Sequence, residues 1–396
     1  FGTGPVTVNS GGQAWLTRTL YTNNFTINGI GPLEGTANDG ALRYNGQSTT
    51  TGTVHVASSA RIGAKASGDF GTMAGPLTGS AALEKTGPGL ISITGNASGY
   101  TGPATVSSGP LHIASGVTLG ASSVAVSTGA TLLNDGPIAG PVTVATGGTV
   151  INKGSIPGAL AVVGTANVTV AGTQGGNVTV EDTGILGGEG TINGNLTLGS
   201  ATPVTGATLR VDGSTTDALA ATGDLTLNGV TAVQLTGVPA VPGSAIDVVT
   251  YGGTLTLAGT ADDAFELVNA ATYRGIPVFA DTGTAITLTV PAGADLIWVG
   301  GDGTNPSFWD LSTTVNWQTA DTNPEVFFNG DNVLFDDTGL TKTLRLPDGA
   351  TVDNPNPVLI SPATITFNNS AGNDYTLEGD AGDGFTGGTS IVKNGT

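Results

Sequence analysis

The chain has 396 residues, with 65 Gly, 20 Pro and no Cys, so neither disulfides nor thiolate metal sites can form. Only 10% of residues are charged and the formal net charge is −19. This excludes a general nucleic-acid face, which needs a basic surface, and disfavours charge-driven adhesion to anionic lipid. A mean hydropathy of +0.16 argues against disorder, because a chain this apolar offsets its ordering entropy by burial. Direct membrane insertion is not expected, since no apolar run approaches the roughly 20 residues of a membrane helix. Phe1 opens no signal peptide, and the chain reads as a piece of something longer.

Residues 1–120 are nearly neutral, with Glu34, Asp39, Asp69 and Glu84 against five bases. Their vocabulary is that of strands, as in GTVHVASSARIGA (52–64), with alternating side chains. His55 and His112 are the two histidines. Each sits at an alternating strand position and reads as a wall residue, with no catalytic or metal partner pattern beside it. Residues 79–116 carry Leu83, Lys85, Thr86, Gly87 and Gly89, then an Ile91/Ile93 strand, Thr94–Gly95, Tyr100, Gly102 and Gly109. This pattern closely resembles the passenger-associated transport repeat, the β-strand repeat of autotransporter-like proteins. The resemblance implies an extracellular β-helical passenger or surface protein.

Residues 121–200 decide the fold. Val124, Val142, Leu160, Val178 and Leu196 recur every 18 residues, and Val126, Val144, Val162, Val180 and Leu198 follow two positions on. Leu132, Val150, Val168 and Leu186 keep the same step, as do glycines 136, 154, 172, 190 and 140, 158, 176, 194. An i, i+2 aliphatic pair occupies one face of a strand, and recurrent glycines mark corners needing positive φ or close backbone approach. One 18-residue turn cannot bury its own apolar pairs, but stacked turns form a continuous core. The expectation is all-β: a single-stranded parallel β-solenoid in register, with Asn134 stacked on Asn152. A right-handed β-helix follows from the hand of parallel crossovers, with the left-handed triangular form left open.

Residues 201–296 continue as a less regular β-solenoid, with GDLTLNG (223–229), GGTLTLAG (252–259) and GTAITLTV (283–290). A Trp-rich module begins near residue 297. Trp298, Phe308, Trp309, Trp317, Phe327, Phe328 and Phe335 crowd together there, and residues 297–396 hold thirteen acids against Lys342, Arg345 and Lys393. WDLSTTVNWQ and FNGDNVLFDDTG resemble the Trp-rich opening of modules in very large extracellular repeat proteins of verrucomicrobia- and planctomycete-like bacteria. The final GTSIVKNGT resembles the start of another repeat, equivalent to SAALEKTGP.

The aromatic cluster reads first as a small local core and second as a sugar-stacking platform using Trp309 and Trp317. For calcium the candidates are Asp331, Asp336, Asp337, Asp380 and Asp383, acids near turns able to join carbonyls in an oxygen cage. The alternative for them is solvated charge that discourages edge association. Asp262/Asp263 and Asp336/Asp337 are the adjacent carboxylates, but neighbours on a strand point to opposite faces and do not converge. The expected function is structural and not enzymatic: an elongated extracellular stalk, fibre or surface layer on a Gram-negative-type bacterium. Its partners are copies of itself or neighbouring modules stacked end to end, with no nucleic acid. A glycan- or surface-binding adhesin is the alternative, and a β-helix polysaccharide lyase or hydrolase the second.

Overall fold

The computed structural model describes residues 2–32, 40–163, 167–200, 206–237, 243–346, 359–379, 383–385 and 389–395. Strands dominate, and the helical pieces among these residues are the short turns Ala261–Ala264 and Ala270–Thr272. Among the described residues, no helix is long and apolar enough to cross a membrane. Packing divides the chain into two compact units. The first holds Phe1–Leu209, Ala218–Ala232 and Val249–Ala264; the second holds Arg210–Asp217, Val233–Val248 and Phe265–Thr396. The second unit thus reaches back beyond residue 297, because packing, not chain order, groups these segments.

In the first unit parallel ladders follow the repeat. Val124 pairs with Val142, Val142 with Leu160, Leu160 with Val178 and Val178 with Leu196, all in parallel. These five side chains are 0–1% exposed. A second ladder pairs Leu132 with Val150, Val150 with Val168 and Val168 with Leu186. A third, which the spacing did not reveal, pairs Ile156 with Gln174 and Gln174 with Ile192. Each regular turn visits the three in order, as in Val142–Val144, Thr149–Asn152 and Ser155–Ile156, before returning at Leu160–Val162. The register survives longer excursions: Leu196 pairs with Leu225 and Leu225 with Leu255. Surface excursions lengthen a turn cheaply, since closure entropy grows only with the logarithm of loop length.

Interior side-chain amides bond along the stack, while the buried Oδ1 of Asn134 and Oε1 of Gln174 have no hydrogen-bond partner. Asn134 Nδ2 donates to Asn152 Oδ1 at 2.8 Å, and both residues are 0% exposed. Asn134→Ala should cost about 1–2 kcal/mol, the usual effect of orphaning a buried acceptor. Urea denaturation would measure it, and an unchanged midpoint would contradict the stack. The glycine columns are explained by close approach. A Cβ on Gly172 would lie 2.2 Å from the carbonyl oxygen of Gly154 in the turn before, far inside contact distance. Positive φ occurs in a different column, at Gly129 (72°) and Gly147 (74°).

A corner staircase adds to the ladders. The Oδ1 atoms of Asn177, Asn195 and Asp224 accept the backbone N–H of residues 195, 224 and 254 at 3.0, 2.9 and 2.7 Å. Each side chain thereby satisfies a donor of the following turn.

In the second unit the strands Asp295–Trp298, Asn332–Phe335, Thr364–Phe367 and Ser390–Lys393 form a parallel ladder. Three pairings here depart from the purely parallel expectation. Val278–Asp281 pairs antiparallel with Ala285–Thr289, and Trp317–Gln318 pairs antiparallel with both Asp295–Trp298 and Pro324–Glu325. The first is a matter of length. A three-residue connection through Gly283 (φ 89°) can only close a hairpin, whereas a parallel crossover needs a dozen residues or more.

Candidate functional site

The segment 79–116 places a charged group inside the first unit. Lys85 lies on the strand Leu83–Thr86, whose alternation turns Leu83 and Lys85 inward. Lys85 is 2% exposed. Its ammonium donates to the carbonyls of Gly87, Gly89 and Ser108 at 2.7, 2.6 and 2.7 Å. Burial pushes its pKa down to about 7, while the three acceptors favour the charged form. The Tyr100 hydroxyl, from the same pattern, lies 3.0 and 2.6 Å from the carbonyl oxygens of Ala81 and Pro103, which share its one proton. Burial raises that phenol to about 12. A Cβ on Gly102 would lie 2.2 Å from the Ala81 oxygen. The Lys, Tyr and Gly of the pattern thus clamp one turn to the next.

Sequence reasoning missed a hydrogen-bonded chain that starts in this segment and ends on the following turn. Ser92 Oγ lies 2.9 Å from His112 Nδ1, and His112 Nε2 lies 2.9 Å from Asp135 Oδ2. The three sit 20 and 23 residues apart, on successive turns, because Ser92 pairs with His112 and His112 with Leu133. The composition resembles a serine-hydrolase relay, but Ser92 is 3% exposed and packed beneath the imidazole. A nucleophile must meet a substrate carbon, so this chain acts as a tie between turns. Only register could have revealed it, through the spacing between Ser92 and His112. The other histidine, His55, is exposed and contacts the Thr78 hydroxyl at 3.0 Å.

The aromatic cluster is a core. Trp298, Trp309, Trp317, Phe327 and Phe335 are 0–1% exposed, with Trp309 and Trp317 edge-on at 5.2 Å between centroids. This corrects the use of Trp309 and Trp317 as a stacking platform, since a ring that stacks on sugar must offer an open face. A cleft of about 190 Å³ is lined by Trp309, Leu344, Leu346, Glu378, Asp383 and Phe385, which brings two of the sequence candidates, Trp309 and Asp383, to one place.

The carboxylates expected at calcium sites are dispersed. Asp331 is 0% exposed and takes the Arg274 fork at 2.7 and 3.0 Å plus the N–H groups of Ala294 and Phe328, each at 2.8 Å. With four donors on two oxygens, it serves a buried ion pair. Asp336 caps its own turn through the Thr338 N–H at 2.8 Å. Asp337 accepts from the Ser370 N–H and hydroxyl, both at 2.8 Å, which hold its carboxyl below the usual range. Asp380 lies outside the described residues. Among those described, no group of three or more His, Cys, Asp or Glu is placed to hold a metal ion. Of the adjacent pair Asp262/Asp263, Asp263 accepts from the Thr260 hydroxyl and N–H at 2.6 and 2.9 Å. These bonds lower its pKa.

Comparison with protein-family models, curated proteins and solved structures finds no match for this chain.

Proposed function

We propose that this chain is a segment of a β-solenoid that serves as extracellular architecture, displayed as a stalk, fibre or surface layer on a Gram-negative-type cell. The observation that carries the reading is the in-register column Val124–Val142–Leu160–Val178–Leu196, buried along its whole length. A protein built this way gains length by adding turns, because each turn is stabilised mainly by its two neighbours. The clamp around Lys85 and Tyr100 gives a physical purpose to the pattern shared with autotransporter-type passengers, and the absence of cysteine in the sequence suits export. The closed, right-handed solenoid belongs to this proposal too, as the closure that turns three ladders into one wall. Its partners are further turns, from copies of the chain or from adjoining modules.

Electron microscopy of the intact native protein tests the reading. Elongated rods or fibres are expected, with cross-striation set by stacked strands about 4.8 Å apart. Compact particles of the full protein would sink it.

A further inference from the structure

The second ladder has an outer side unlike those of the other two. Along the first, from Val124–Val126 to Leu225–Leu227, the outward residues are Ala125, Thr143, Ala161, Thr179, Thr197 and Thr226. Along the third they are Ser155, Thr173, Thr191, Ala220 and Thr250. Nothing in these two runs is larger than threonine.

On the second ladder, from Phe70–Met73 to Ile185–Gly187, six of the seven strands turn a bulkier apolar residue outward: Phe70, Leu90, Pro110, Leu133, Ile151 and Ile185. Phe70 is 36% exposed and the others are half-buried, so water reaches all six. Leu90–Ile91, Leu132–Leu133, Val150–Ile151 and Ile185–Leu186 each put one aliphatic on either side of a strand. Strands of a parallel sheet read this way when both faces are covered, whereas a strand with one wet face alternates apolar with polar. The inner face is covered by the core. The outer one calls for a partner.

The same wall says what that partner is. None of its seven strands contains Asp, Glu, Lys or Arg, although the chain carries a net charge of −19. His112, which lies on it, is already held by Ser92 and Asp135. Two such chains meet here without bringing like charges together. The side chains step about 4.8 Å from strand to strand, and a second stack with that step can interleave with them over the whole height. A surface lacking the period matches at one or two turns only. Further turns of the same chain lengthen the ladders along the stack and leave this outer side bare. The strands are mostly four or five residues long, which gives a footprint of roughly 500 Å² on each copy. A pair then buries about 1,000 Å², the size at which specific interfaces begin.

We infer that two copies of this chain pack these walls face to face, related by a two-fold axis through the central strand Ala130–Asn134. A two-fold contact uses the same patch on both copies, so Thr131 and Leu133 near the axis face their own counterparts. The contact draws on the ladders alone and stands apart from the end-to-end reading.

Sedimentation velocity over a concentration series should show a monomer–dimer equilibrium. Leu133→Thr combined with Ile151→Thr gives this wall the residue used on the other two. It should weaken the dimer about tenfold or more, with the dilute monomer still folded by circular dichroism. The sequence has no cysteine, so a single introduced thiol reports unambiguously. Face-to-face sheets lie about 10 Å apart, and a bifunctional thiol reagent of that reach should capture Thr131→Cys as a dimer but not Thr143→Cys on the first ladder. A monomer at every concentration, a dimer indifferent to the threonine pair, or equal capture through Thr143→Cys would each overturn the pairing. So would a Thr131→Cys thiol shielded only within the intact protein, because the wall would then belong to another segment or another partner. Rods in the microscope from a protein that never dimerises would remove this contact and leave the architectural reading standing.

Discussion

Trp309→Ala should destabilise the second unit by about 3–5 kcal/mol, the usual cost of deleting a buried large aromatic and leaving a cavity. Trp309 is 0% exposed, and its ring meets those of Trp317, Phe327, Phe335 and Phe385 at centroid distances of 5.2–5.5 Å. Four aromatic neighbours leave no small side chain able to collapse into the space, so relaxation recovers little. Trp309→Phe should lose about half as much, because it keeps ring contacts on most sides. Tryptophan fluorescence during urea unfolding reads this directly, since three of the four tryptophans belong to the cluster. An alanine variant within about 1 kcal/mol of the parent would show that Trp309 is not core and would return it to the sugar-stacking role that its sequence context offered second.

The second large effect is a stability that rises with alkaline pH. Burial lowers the Lys85 ammonium to about 7 in the folded chain, from an ordinary lysine value of 10.5. Between those values the unfolded chain holds a proton that the folded chain lacks, so stability must increase with pH across the window. From pH 7 to pH 10 the gain is on the order of 2–3 kcal/mol, after allowing for the three carbonyls that favour the ammonium. Above pH 10 the sign reverses. Tyr100, Tyr273 and Tyr375 are raised by burial to about 12, and Tyr44 further still, so the stability they add is present below pH 10 and lost as pH climbs through their folded values. The optimum should therefore lie near pH 9–10. Lys85→Met should flatten the rise between pH 7 and 10 and leave the fall above it intact. Urea midpoints at each pH decide the matter: a methionine variant that follows the parent curve would mean Lys85 is not the group responsible.

Much of the first unit was legible in the sequence because its turns are copies. When like stacks on like at a fixed step, an inward column becomes a column in the sequence, and Val142, Leu160 and Val178 could be placed together from numbering alone. The Asn134–Asn152 contact followed from the same step. The third ladder escaped because Ile156, Gln174 and Ile192 share position but not chemistry, and a periodicity search weighted to aliphatics does not register a buried glutamine.

The functional candidates were less legible, for a related reason. Acids near turns look alike whether they face water, cap a turn or close a buried pair. Asp331 is distinguished only by Arg274, 57 residues away, and no repeat connects the two. The aromatic residues announced their clustering through density in the sequence, yet whether a ring faces inward depends on what covers it.

The sequence by itself determined the turn length, the inward residues and the parallel register of the central stretch, since repetition converts tertiary neighbours into a fixed spacing. Only the tertiary structure decided that the tryptophans are core, that Ser92, His112 and Asp135 are linked, and that Asp331 is paired with Arg274. Those facts depend on contacts between positions unrelated by the repeat, and a spacing rule carries no information about them.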